Sequence, residues 1–327
     1  YFKKEAIQMS YEFLTKVLGL EKDKLSVTVF EGDKDAVQDD EAAGYWEEAG
    51  IPENRIHYLN KKENWWGPAG EVGPCGPDTE FFYRMVGEEE KSTQDFVSRN
   101  QDFPEIGNDV LMQYNKTKSG KFEESKQKNI DNGTGLERVI SVLNGYENTF
   151  EIDTLKPIYD KVKTLSNVGF NIEDNVKSAR IVTDHLRAAT MILGDDKAIT
   201  PSNVDQGYIL RRFIRRAIRH ARLLGIEGMF CKSVSEIAVN VMGKVYGEVE
   251  TNKDFIFSEM KKEEEKFSIA LENGTKKLEK TLGFLASADK KELSAKGAFD
   301  LYQSNGFPIE MTREMCSEKG FAVDEKG

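Results

Sequence analysis

Asp131, Gly133, Gly135 and Arg138 fall within eight residues of one another, in the run from Asn129 to Leu143, NIDNGTGLERVISVL. A carboxylate just ahead of a tight turn can hold a cationic amine. A guanidinium in the first turn of the helix behind it sits where free backbone N–H groups already favour a phosphate. Gly133 and Gly135 let the backbone turn sharply and come close to a ligand. An ammonium holder and a phosphate holder about one helical turn apart suit a site that joins an amino acid to a nucleotide. The same GxGxER pattern is also compatible with a loop that only caps a buried helix.

Three further constellations carry chemistry. The loop from Glu63 to Asp78 packs four glycines and three prolines into Gly67–Pro77, directly after Trp65 and Trp66. Such a backbone is irregular and exposes its amides, and adjacent indoles can wall a small planar ligand. A structured surface loop with one buried Trp is the plainer alternative. In Glu105–Asn115, strand alternation puts Asn108, Val110 and Met112 on one face. An Asn among apolar neighbours needs a hydrogen-bond partner, either a substrate carboxylate or nearby backbone. The third is Arg211–Arg222, with six arginines and no acid in a chain of net charge −11. Arg212, Arg215, Arg216, Arg219 and Arg222 follow helical spacing beside an apolar stripe of Phe213, Ile214, Ala217, Ile218 and Ala221. A cationic face of this kind suits a polyanion; ion pairing with the many acids of the chain is the alternative. Ser202 or Asn203 can cap this helix, or Asn203 can reach a base edge in an RNA minor groove.

The elements that position these residues are readable from periodicity. Residues 1–147 read as mixed α and β. Helices are expected at about 3–18 and 35–50, and strands at 25–30, 55–59, 79–86 and 105–115. A polar connection spans 87–102, and a helix begins at Gly135. Strands joined by polar hairpin segments imply an antiparallel sheet. Residues 148–327 show helical spacing almost throughout, with a long charged helix over 254–285 and a helix-turn-helix tail around Gly306-Phe307-Pro308.

Composition limits the function classes. Hydrophobic residues make up 39% and charged residues 31%, as in a soluble globular chain of about two domains. No apolar run nears the ~18 residues of a membrane span. Three cysteines far apart, Cys75, Cys231 and Cys316, argue against a disulfide framework and for a cytoplasmic setting. No Cys/His spacing fits zinc, and His57, His185 and His220 are scattered. The N-terminus starts in mid-helix pattern, which suggests a truncation of a longer protein.

Taken in order, WWGPAGEVGPCGPDTEFFY, GNDVLMQYNK, DNGTGLERV, IVTDHLRAATMIL, PSNVDQGYILRRFIRRAIRH and LYQSNGFPIEMT resemble successive blocks of the alanyl-tRNA synthetase family. They cover nearly the whole chain. The resemblance implies a class II fold: an α+β core with an antiparallel sheet and flanking helices, followed by an all-helical tRNA-recognition domain. It implies ATP-dependent activation of alanine to alanyl-adenylate and transfer to the 3′ end of the alanine tRNA, with magnesium accompanying ATP and no zinc in this part. Trp66 would border the adenylate and alanine pocket, and Asn108 and Val110 would line the alanine site. Asp131 would grip the α-ammonium group, and Gly133 would keep the pocket small. Arg138 would contact ATP beside Gly135. Asn203 and Glu310 would read the acceptor stem's G·U pair, while Arg211, Arg212, Arg215 and Arg219 would hold phosphates.

The departures are specific. The motif 1 dimer-related element, the motif 2 arginine, the editing domain and the C-terminal domain are not found in the chain. Gly107 stands where tryptophan is usual, Thr134 where methionine is usual and Glu310 where aspartate is expected. The alternative this leaves is a catalytically incomplete tRNA-binding fragment of the same family, with any homo-oligomer formed through regions outside the chain.

Overall fold

A computed structural model describes residues 1–327, which divide into two compact units, Tyr1–Ile152 and Asp153–Gly327. In the first unit, α1 (Lys3–Glu12) runs into a π-helical turn at Phe13–Val17, followed by β1 (Leu25–Phe30), α2 (Asp40–Ala49) and β2 (Ile56–Leu59). Next come β3 (Trp65–Trp66), β4 (Gly73–Tyr83), α3 (Thr93–Ser98), β5 (Glu105–Lys116), β6 (Phe122–Thr134) and α4 (Leu136–Asn144). The sheet order is β2-β1-β4-β5-β6, with β3 pairing β4.

The sheet is mixed, not purely antiparallel as the polar connections implied. β1 and β2 are parallel, because α2 forms the crossover that a parallel pair requires. The helix expected from Asp35 starts only at Asp40. Asp39 caps it by accepting from the Ala42 amide at 3.1 Å, and Lys3 pairs with the same buried carboxylate at 2.6 Å. The polar stretch 87–102 contains α3, which Phe96 and nearby Phe103 anchor by burial. β6 extends back to Phe122, unseen in the pattern because most of this edge strand is exposed on both faces and so shows no burial alternation.

One face of this sheet packs on α1 and α2. Ile7, Tyr11, Leu14 and Trp46 meet Val27, Phe81, Ile106 and Leu111 in one buried cluster. Trp46 is fully buried, and its indole N–H donates to Thr79 Oγ1 at 2.7 Å. Asp109 points into the same side of the sheet, where Ser10 and Asn132 donate to its carboxylate at 2.7 and 2.8 Å. On the opposite face Phe96 of α3 packs against Phe82 and His57, which leaves the β4–β6 part of that face to carry ligand groups.

The second unit contains α5 (Lys156–Leu165), α6 (Glu173–Gly194), α7 (Asp205–Leu223), α8 (Cys231–Met242), α9 (Gly247–Thr251), α10 (Lys253–Ser287), α11 (Ala295–Asn305) and α12 (Ile309–Glu318). It is not wholly helical: β7 (Glu292–Leu293) and β8 (Ala322–Val323) form a short parallel pair. The apolar stripes of α6, α7 and α10 make its core, with Leu186, Ile214, Ile218, Met260, Phe267 and Leu278 all fully buried. Glu264 reaches from α10 to the start of α8. Its two oxygens accept from the Phe230 and Cys231 amides at 2.9 and 3.0 Å, satisfying donors that a helix N-terminus leaves open.

Phe267 touches both Phe307 and the Arg215 guanidinium, at 6.1 and 4.9 Å between centres. Phe267→Ala is expected to lower the stability of this unit by about 3–5 kcal/mol. Urea denaturation followed by circular dichroism measures it; an unchanged midpoint would remove Phe267 from the load of the core.

Candidate functional site

The strand register assembles the sequence-predicted residues on the sheet face away from α1. Asp78 of β4 lies opposite Val110 of β5, which lies opposite Asp131 of β6. The next row on the same face is Thr28, Glu80, Asn108 and Gly133. Side chains alternate along each strand, so these two rows point the same way. Adjacent strands are about 4.8 Å apart, which puts Asp78 and Asp131 on strands roughly 10 Å apart with Val110 between them.

Gly133 is shaped by its neighbour. A Cβ at this position would stand 2.5 Å from Asn108 Oδ1, so a side chain here would have to displace the carboxamide. The Asn108 side chain bonds to no other residue of the chain and lies half-buried over Gly133. Gly107, one position away, faces the opposite side. A Cβ there would lie 2.5 Å from Phe81 Cε2, and the buried Phe81 ring occupies the room that a larger side chain would need.

Arg138 stands in the first turn of α4, directly behind the β6 turn. Its Nη1 donates to the Glu105 carbonyl at 2.8 Å and to Glu105 Oε2 at 2.9 Å. Gly135 is the residue before that helix, and its amide donates to the Ile106 carbonyl at 3.0 Å. Of the two tryptophans, Trp65 is structural. It stacks on Tyr114 and lies edge-on to Phe122, with Lys61 over its ring at 4.3 Å. Trp66 pairs with Gly76 of β4, before the register shift that precedes Asp78, and it is 38% exposed. Trp66 is the freer of the two rings.

Sequence reading missed the acids that complete the face. Asp78 is buried and accepts from Asn64 Nδ2 at 3.2 Å; the same amide donates to Thr28 Oγ1 at 2.8 Å. Thr28 in turn donates to Glu80 Oε2 at 3.3 Å. Burial raises the Asp78 carboxyl to about 7, aided by the charge of Glu105. Burial also raises Glu80 to about 8, with Asp78 and Glu105 adding like-charge repulsion. The only hint in the sequence was the alternation of two acids in PDTEFF, an apolar strand.

Asp78, Glu80, Glu105 and Asp131 thus surround a face to which Arg138 contributes one guanidinium. An excess of carboxylates of this kind favours cationic ligand groups. No group of three or more His, Cys, Asp and Glu side chains converges as a metal cage. The all-oxygen donor set fits a cation that takes its remaining ligands from phosphate and water.

In the second unit, α7 begins at Asp205, so neither Ser202 nor Asn203 caps it. Ser202 instead bonds to Val204, and Asn203 Oδ1 accepts from Arg211. Asp205 has φ +50°, an uncommon left-handed conformation for a non-glycine residue. The expected open cationic face is not present. Arg212 pairs with Glu310 at 2.7 Å, Arg215 with Glu263 at 2.6 Å and Arg216 with Glu314 at 3.0 Å. Arg219 pairs with Glu318 and Glu314, Arg211 with Glu263, and Arg222 donates to the Ile226 and Gly228 carbonyls. The acids lie on α10 and α12, far along the chain, which is why local composition showed only the arginines. Asn203, Tyr208, Arg211, Tyr302 and Gln303 line a cleft of about 400 Å³, and Glu310 lies against Tyr208 and Arg212.

The raised acids fix a pH dependence. With folded values near 7 and 8 and ordinary carboxylate values in the unfolded chain, the native state binds more protons between about pH 4 and pH 8. Their contribution to stability is complete below pH 4 and is lost as pH rises to 8. Glu80→Gln is expected to flatten that decline and raise the pH 8 melting temperature by about 3 °C. Thermal melts from pH 5 to pH 8 measure it, and parallel curves for both proteins would contradict the burial account.

Comparison with known proteins gives one family across the chain. The model described as tRNA synthetases class II (A) matches residues 1–327. A protein of Borrelia hermsii named alanine–tRNA ligase is 42% identical over 332 residues, covering 100% of this chain and 55% of the relative. One of Treponema pallidum with the same name is 41% identical, covering 100% of this chain and 54% of the relative. One of Petrotoga mobilis, again so named, is 39% identical, covering 100% of this chain and 37% of the relative. The chain spans about half the length of the first two relatives.

Proposed function

The chain belongs to the class II (A) tRNA synthetases, and from that premise we propose that its parent protein ligates alanine to tRNA with ATP. The carboxylate of alanine attacks the α-phosphorus of ATP and pyrophosphate leaves; a ribose hydroxyl at the tRNA 3′ end then attacks the carbonyl carbon of the alanyl-adenylate, forming the ester and releasing AMP. Residues 1–147 serve as the aminoacylation core and 148–327 as the tRNA-recognition part.

The observation that carries this reading is the two-row sheet face with Asp131 and Gly133 on one strand, Asn108 and Val110 on the next, and the Arg138 helix start beside them. Asp131 accepts from the α-ammonium group. Asn108 donates its amide to the alanine carboxylate. Val110 and Gly133 leave room for a methyl side chain and little more. Arg138 exchanges Glu105 for ATP phosphate, which the α4 N-terminus and the Gly135 turn also favour. The Trp66 indole walls the adenylate. Asp78 and Glu80 would hold magnesium, which when bound neutralises phosphate charge. Catalysis of this kind is mainly positioning and charge stabilisation. In the second part, Asn203 and Glu310 face the acceptor-stem G·U pair, whose shallow A-form minor groove admits side chains.

Alanine-dependent pyrophosphate exchange by the full-length gene product tests the reading. Exchange with another amino acid and none with alanine overturns it. RNA binding without exchange by the 327-residue chain alone would assign that chain to the binding half of the task.

Asp131→Asn is expected to raise KM for alanine about 30-fold, from loss of one charge-assisted hydrogen bond of ~2 kcal/mol. KM for ATP should change little. Steady-state exchange kinetics measure both; equal losses for the two substrates would contradict the ammonium role.

A further inference from the structure

The arginines of α7 are usually read outward, toward a polyanion. Their partners point inward. Along α12, Glu310, Glu314 and Glu318 recur every four residues and meet Arg212, Arg216 and Arg219 in the same order. The side chains of Arg211, Arg215 and Arg219 are 17%, 13% and 5% exposed, which leaves little guanidinium surface for a phosphate. Arg212 is more open, at 30%. Yet its Nη1 donates to Glu310 Oε1 at 2.7 Å, while the Tyr208 hydroxyl donates to Glu310 Oε2 at 3.3 Å. One donor sits on each carboxylate oxygen.

That geometry has a chemical consequence. A carboxylate oxygen has two acceptor positions, so a donor on each still leaves one acceptor position per oxygen. The carboxylate is fixed in direction and remains able to accept. The minor groove of duplex RNA offers matching donors, the 2′-hydroxyl and the guanine 2-amino group. A phosphate, by contrast, would meet the negative charge of Glu310 beside an arginine already paired with it. Burial alone would raise the Glu310 carboxyl, but its own backbone amide, Arg212 and Tyr208 together hold it lowered and therefore ionised.

We propose that Tyr208 and Arg212 are positioning residues for Glu310, and that Arg212 is engaged by this carboxylate rather than by an RNA phosphate. The proposal rests on the reading above in which Glu310 faces the acceptor stem.

The test uses the full-length protein with Tyr208→Phe, Arg212→Gln and Arg212→Lys. Two quantities are read: the kcat/KM ratio between alanine tRNA with its G·U pair and the same tRNA with G·C, and the slope of log binding constant against log salt. Tyr208→Phe keeps the ring and is expected to lower the ratio about fivefold, and Arg212→Gln about tenfold, with the salt slope unchanged. Arg212→Lys, which retains a donor, should recover part of the ratio. A phosphate contact instead predicts a shallower slope, by about 0.7–0.9, with the ratio intact; that result overturns the proposal. Should Arg212→Gln fail to fold, Tyr208→Phe decides alone, and an unchanged ratio there overturns it. A wild-type protein that does not charge alanine tRNA refutes the underlying reading instead. One that charges and discriminates, with unaltered variants, refutes only the positioning.

Discussion

Desolvated carboxylates on one face of the first unit's sheet set the terms for its ligand site. Taking an acid out of water is costly unless a countercharge or donor compensates. Asp78 and Glu80 have Asn64 and Thr28 as donors but face Glu105 and each other as like charges. They consequently titrate near neutrality. A fold built for stability alone would place apolar residues there, as it does at Phe81 and Leu111 on the helix-covered side. The acids make sense as groups held ready for cationic partners. The sheet supplies the rigidity: strand spacing and alternation fix each carboxylate before any ligand arrives, so little reorganisation is needed on binding.

The second unit resolves the opposite problem in the opposite way. Six arginines on one helix would repel each other, and the fold answers by packing acids of α10 and α12 against five of them and carbonyls against the sixth. Partly buried ion pairs contribute modestly to net stability, since desolvation offsets attraction, but breaking one leaves an uncompensated charge. Their evident effect is on geometry. Successive turns of α12 are held in register against successive turns of α7, and Glu310 inherits a defined direction from that register.

What the sequence revealed follows the range of the physics. Alternation within β5 is local, so Asn108 and Val110 were legible as same-face residues, and the turn chemistry of Gly133 and Gly135 was legible for the same reason. The long α10 was readable over nearly its whole length from its apolar stripe. The partners were not legible. Asp78 and Glu80 join the face only through the β4–β5 register, which shifts between Cys75 and Asp78. The acids of α12 meet α7 across 98 residues of chain. α3 hid inside a polar stretch because two buried phenylalanines, not periodicity, hold it. β2 is parallel to β1 because the helix expected between them is a crossover; that strand–helix–strand order was legible, and the polar hairpin segments elsewhere masked what it implies.

The two units therefore distribute charge by function rather than by average. A net charge of −11 suggests a poor nucleic-acid binder, and the arginine row suggests a good one; the pairing removes the second inference and leaves the first. Where the arginines are neutralised, long-range attraction for a polyanion is reduced, and in the proposed reading discrimination rests on short-range hydrogen bonding at groups such as Asn203, Tyr208 and Glu310. Hydrogen bonds of that kind are directional and insensitive to salt, so they select a groove shape and a donor pattern more than they select negative charge. Where the carboxylates are left unbalanced, the sheet face keeps a local excess of acidic groups that would favour cationic ligand groups. Pairing is withheld on the sheet face of one unit and completed along α7 in the other.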